Sequence, residues 1–171
     1  ALIGTLRTLP NSPWLVRFAN VWVELFRNIP LLVQIFLWYF VVPKIFPVMQ
    51  GIPSFVLVVF ALGFFTSARI AEQVRAGIQS LPKGQRYAGM AMGFTTPQTY
   101  RYVIGPLVLR TVLPAIAGQL VSLIKDSSLL SIIAVRELTM AANDMNAATF
   151  STIEAYLPLV IGYLLLTMPI S

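Results

Sequence analysis

The chain has 171 residues, 57% of them hydrophobic and 11% charged, with a mean hydropathy of +0.80 and a formal net charge of +6. Soluble domains carry about 25% charged residues, so a soluble chain this apolar could not cover its surface with polar groups, and lipid is its expected solvent. The absence of Cys and His excludes disulfides, thiol nucleophiles, zinc sites of the usual kind and imidazole acid–base chemistry.

The chain begins at Ala1, and the apolar stub 1–6 runs straight into Arg7. With no charged leader and no cleavage site, it reads as the end of a spanning helix whose start is missing, not as a signal peptide. Ser171 likewise stops inside an apolar run, so the chain reads as a fragment cut at both ends. Residues 7–27 carry three Arg and one Glu and are expected inside, because Lys and Arg accumulate in cytoplasmic segments.

The run 28–43 is uncharged and aromatic-rich and can cross most of a bilayer, which takes about 20 apolar residues. Trp38 and Tyr39 suit the outer interfacial belt. The stretch 43–53, with three prolines and one glycine, reads as a short external loop. A second uncharged run, 52–68, follows. It is ended by Arg69, Glu72 and Arg75, whose spacing puts all three on one helical face. The plain reading is a neutralised ladder at the inner membrane edge; the functional one makes Glu72 a contact near a transport path.

Residues 80–114 then hold four cations, Lys83, Arg86, Arg101 and Arg110, and no carboxylate. This basic segment reads as cytoplasmic. Leu81-Pro82 stops the preceding helix. Residues 84–92 form a short amphipathic helix that Gly93 can break, since glycine tolerates the left-handed conformation of a helix end. Thr96 is expected to cap the next helix, with Pro97 at its first position. A third span, 103–124, is expected to be broken at Gly105-Pro106 and at Pro114. Residues 125–154 carry two positive and four negative charges and read as external, with 127–135 apolar enough to dip back into a bundle. A fourth span starts at Ala155. The complete molecule is expected to have about five spans with a cytoplasmic C-terminus.

Phosphate-loop, dinucleotide, zinc-protease and serine-hydrolase signatures are all absent, and the six carboxylates are scattered, so no enzyme centre is expected. Charged groups near membrane depth usually face a bundle interior or a watery cavity. Lys125 and Asp126, followed by Ser127 and Ser128, are therefore candidates for a polar solute path beside Glu72. The alternative is that they only mark the outer end of the third span.

Within the central segment, Tyr87-Ala88-Gly89, then Gly93, then Val103-Ile104-Gly105-Pro106 resemble the cytoplasmic signature of permease subunits of bacterial ABC importers for polar amino acids. That signature reads Glu-Ala-Ala, three residues, Gly, nine residues, Ile-x-Leu-Pro. Spacing, Ala88, Gly93 and Pro106 match; Tyr87, Gly89 and Gly105 depart. Three further runs, 27–36, 68–85 and 123–133, resemble the amino-acid subgroup, and within it the first hundred residues most resemble glutamate/aspartate permeases.

The resemblance implies an all-α polytopic membrane helix bundle of the type I ABC importer permease fold, a single permease domain over 1–171 with its coupling loop at 80–106, in the bacterial inner membrane. It implies a second permease subunit, homo- or heterodimeric, an ABC ATPase subunit, an external solute-binding protein and an amino-acid substrate. No cofactor or metal is expected on this chain; ATP and Mg would be used by the ATPase. Gly84, Gln85, Arg86, Tyr87, Ala88, Gly89, Gly93 and Pro106 would form the ATPase dock. A family Glu could pair there with a cation, whereas Tyr87 can only pack or make a hydrogen bond. A membrane scaffold subunit, or a secondary carrier without an ATPase, is the alternative.

Overall fold

The computed structural model describes residues 2–9 and 12–170, which form helices and connections with no strand among them. In chain order the helices are α1 (Leu2–Leu6), α2 (Pro13–Asn28), α3 (Leu31–Ile45), α4 (Ser54–Ser80), α5 (Lys83–Ala91), α6 (Thr96–Ile133), α7 (Leu138–Thr149) and α8 (Thr152–Thr167). α4 and α6 are each long and apolar enough to cross a membrane. At about 1.5 Å per residue, a hydrocarbon core of about 30 Å needs about 20 residues, and α4 has 27. α3 and α8, at 15 and 16 residues, are shorter than such a span.

The chain forms two compact units, one from the residues up to Asn28 with Ser67–Ala117, the other from Ile29–Thr66 with the residues from Gly118 onward. In the first unit, Val74 of α4 packs with Ile104, Val108 and Val112 of α6. Ala68 and Ala71 are fully buried on the same stretch of α4. Lipid tails are as apolar as these side chains, so close van der Waals packing through small residues holds such helices together. In the second unit, Leu31 and Ile35 of α3 meet Val58, Ala61 and Phe65 of α4 and Leu130 and Ile133 of α6. The spacing 58, 61, 65 is one face of a helix.

Trp38 is half-buried. Its ring lies 6.0 Å from Phe60 and 5.1 Å from Phe64, and both Trp38 and Tyr39 pack on the core of the second unit. Large apolar side chains elsewhere stay exposed, among them Trp14, Phe18, Val21 and Leu25 of α2. Their spacing makes one stripe.

The expected break at Gly105-Pro106 does not occur. α6 runs through it, because Thr99–Ile104 is wound as a π-helix. A proline ring ordinarily collides with the carbonyl four residues back, which here belongs to Tyr102 inside the widened turn. α3 repeats the device, with Leu37–Val41 π-wound just ahead of Pro43. Such bulges re-route backbone hydrogen bonds without ending the helix. Gly105 is required by the same turn, since a Cβ there would lie 2.9 Å from the Tyr100 carbonyl oxygen. Pro114 also sits inside a continuous helix.

Within 125–154, the apolar stretch expected to dip back into a bundle packs into the core of the second unit. Ser127–Ile133 continues α6 as a 3-10 helix and buries Leu130 and Ile133. Ala134, in the left-handed region at φ 54°, ends it. Glu137 then caps α7: its carboxylate accepts from Thr139 N–H at 2.8 Å and Met140 N–H at 2.7 Å. This satisfies two of the orphan donors at a helix start. α7 turns at Phe150 and packs on α8 through a Tyr156–Asn143 bond of 2.8 Å and a Tyr163–Thr139 bond of 3.0 Å.

Candidate functional site

α5 is the shortest route from sequence to a functional surface. Pro82 is extended, with φ −55° and ψ 133°, and Lys83 opens the helix. Its far end closes as a Schellman turn: Gly93 N–H donates to Met90 O at 3.0 Å and Phe94 N–H to Gly89 O at 3.2 Å. Gly93 has φ 80°, the left-handed value this turn needs. Space around Gly93 is open within the chain. Gly89, by contrast, is buried, and a Cβ there would come within 2.7 Å of Thr99 Cγ2.

The predicted cap moves back one residue. Thr95, not Thr96, is the N-cap of α6, and Gln98 Oε1 accepts from its backbone N–H at 2.8 Å and its hydroxyl at 3.0 Å. A Gln three residues after a Thr is the signal that marks this cap. Tyr100 on α6 donates to Thr8 O at 2.8 Å, tying the helix to the segment after α1.

With Gly89 turned in, the rest of α5 faces out. Gly84, Gln85, Tyr87, Ala88 and Met90 are exposed, and Arg86 is half-buried. Six neighbours of the proposed dock, Gly84 to Gly89, are thus one helix. Gly93 follows at its closing turn, and Pro106 stands apart on α6, past the π turn. This arrangement can bind a protein surface; it holds no nucleophile or acid–base pair, and among the described residues no group of side chains could hold a metal ion.

Glu72 is clamped from three directions. It accepts from Arg75, as the spacing foretells, and also from Arg7 beyond α1. Arg27 of α2 stands 3.9 Å away, and Arg7 Nε donates to Asn20 at 2.6 Å. The side chains of Arg7 and Glu72 are only 13% and 23% exposed, which removes this cluster from the class of screened surface pairs. One carboxylate therefore ties α4 to α2 and to the residue that follows α1. Arg7 and Arg27 are far off in sequence, and no local spacing could reveal them.

Lys125, Asp126, Ser127 and Ser128 belong to the other unit, at the change from α to 3-10 winding. Lys125 is exposed. The serine hydroxyls already donate to backbone carbonyls, Ser127 to Ile124 at 2.6 Å and Ser128 to Lys125 at 2.7 Å. Only their acceptor capacity is left for a solute.

A model of the family described as "Binding-protein-dependent transport system inner membrane component" matches residues 1–171. The chain belongs to this family. It is a permease, a transport subunit of the inner membrane rather than an enzyme, and ATP hydrolysis in such importers falls to a separate subunit. This permease is 38% identical to the glutamate/aspartate import permease protein GltJ of Escherichia coli (strain K12), over 97% of its own length and 71% of that protein's. It is 36% identical to the glutamine transport system permease protein GlnP of the same strain, over 99% and 77%. A solved structure described as an amino acid ABC transporter with histidines superposes with a TM-score of 0.84 at 31% identity, covering 99% of this permease and 77% of that chain. The resemblance read from the central motif and its three flanking runs is therefore borne out, as is the all-α permease fold.

Replacing Glu72 with Gln removes the negative charge that Arg7 and Arg75 share and one of its two acceptor oxygens. The expected loss is about 1 to 2 kcal/mol, below the range for a fully buried ion pair because this one is only partly desolvated. It will be read as a lower midpoint of thermal unfolding in detergent, partly recovered when Arg7→Gln is added. An unchanged midpoint would remove the structural role of this cluster.

Proposed function

We propose that this permease moves polar amino acids into the cytoplasm by alternating access, driven by ATP binding and hydrolysis on a partner ABC ATPase. The observation that carries the proposal is α5, a nine-residue helix closed at Gly93 and held against α6 at Gly89, with its other face open. A compact helix seated in a groove of the ATPase can pass a rigid-body movement on to α6, and a ligand that binds one arrangement better biases the switch. In this reading Gln85, Arg86, Tyr87 and Ala88 make the contact. Gly84 and Gly93 set the ends of the element, Gly89 its seat, and Pro106 lies on the helix that receives the movement. MgATP is held by the ATPase alone.

Glutamate or aspartate is the favoured substrate, supported by the identity to GltJ. A second permease subunit would complete the path, and an external binding protein would deliver the solute. Lys125, Asp126, Ser127 and Ser128 are proposed to line that path. Glu72, in the first unit, is a separate candidate for solute contact, although its three arginine neighbours favour a structural role.

In vesicles holding the complete importer, labelled glutamate uptake should be competed by aspartate and glutamate above other amino acids; equal competition by apolar amino acids would sink the substrate reading. Gly93→Glu strains the left-handed position by about 1 to 2 kcal/mol and should abolish uptake and uncouple ATP hydrolysis while membrane insertion persists. Normal substrate-stimulated ATPase activity in that variant would count against coupling through α5. Asp126→Ala should raise the KM for uptake with assembly intact; unchanged kinetics would take Asp126 off the path.

A further inference from the structure

A cavity of about 410 Å³ lies within the first unit, behind α5. Leu9, Val16, Ile78 and Ile104 give it an apolar wall, and Arg7, Lys83 and Arg86 also line it. No Asp or Glu lines it. Arg7 is spent on Glu72 and Asn20, and the Tyr100 hydroxyl on Thr8. Lys83 and Arg86, by contrast, make no ion pair or hydrogen bond among the described residues.

A free inorganic anion would gain nothing from the apolar wall, and an apolar solute nothing from the cations. A molecule with a phosphate at one end and hydrocarbon at the other uses both. Basic pockets between membrane helices on the cytoplasmic side are where acidic headgroups bind. We propose that this cavity holds an anionic phospholipid, its phosphate between Lys83 and Arg86 and the start of an acyl chain along Val16 and Ile78. The proposal rests on the reading that α5 faces the cytoplasm, where the anionic leaflet is. The lipid would then share Arg86 with the proposed dock and leave Tyr87 and Ala88 to the ATPase.

The test uses the complete importer in vesicles of phosphatidylethanolamine and phosphatidylglycerol, extracted into detergent, with retained phosphatidylglycerol counted by native mass spectrometry. Lys83→Gln should lower retention about fivefold, the worth of one cation near an anionic surface. Val16→Trp should lower it by filling the acyl wall. Excess inorganic phosphate should not release the lipid from the parent protein. Unchanged retention in Lys83→Gln, or release by inorganic phosphate, overturns the proposal. So does loss of the ATPase subunit from Lys83→Gln with lipid still bound, which would assign the cation to the partner's carboxylates. Failure of the ATPase to co-purify with the parent protein would sink the docking reading, while the lipid count would still decide this one.

Discussion

The close contact of Gly89 with Thr99 is the constraint on which the functional surface depends. A hydrogen in place of a side chain lets α5 lie against the first turns of α6, since a Cβ would be 2.7 Å from Thr99 Cγ2. The Schellman turn at Gly93 then fixes the direction of the chain between the two helices. With Gly89 turned inward by this contact, Tyr87, Ala88 and Met90 are left exposed. A flexible loop with the same residues would expose them too, but it could not carry a displacement to α6. The Thr95–Gln98 cap and the π-wound turn after it keep α6 continuous from that junction through Pro106.

Other parts of the first unit are held by charge rather than by a backbone approach. Glu72 gathers Arg7 and Arg75, with Arg27 at 3.9 Å, so a single carboxylate joins three segments of chain. In a membrane protein the packing of apolar faces provides little discrimination between one helix arrangement and another, because lipid competes on equal terms. Partly desolvated ion pairs do discriminate, since a displaced arginine would be left without its acceptor. The same logic applies in the second unit to Glu137, whose carboxylate starts α7 and also receives the Tyr163 hydroxyl at 3.2 Å from α8.

What could be read from the sequence was local. The uncharged run ahead of Arg69, the stop at Leu81-Pro82, the helix to Met92 and the turn at Gly93 all follow from neighbouring residues, and α4 and α5 appear within a residue or two of those marks. The Thr96 cap was displaced by one because Thr95 and Thr96 are chemically alike, and only Gln98 distinguishes them. Gly105-Pro106 misled because the cost of a proline depends on the winding of the preceding turn, which composition does not encode. α7 was hidden by its mixed composition: its start depends on the Glu137 carboxylate folding back onto two backbone N–H groups. The clamp on Glu72 spans 65 residues from Arg7, and the backbone acceptors of the Ser127 and Ser128 hydroxyls follow from the 3-10 winding, which local spacing does not announce.

The most direct measurement of α5 as the transmitting element is disulfide trapping, for which the chain is well suited, having no cysteine of its own. Tyr87→Cys, combined with a single cysteine in the groove of the ATPase subunit, should crosslink under mild oxidation in the assembled importer, stop uptake, and release it again on reduction. Free reaction of Tyr87→Cys with a bulky water-soluble thiol reagent in the assembled importer, with uptake unaffected, would contradict the account.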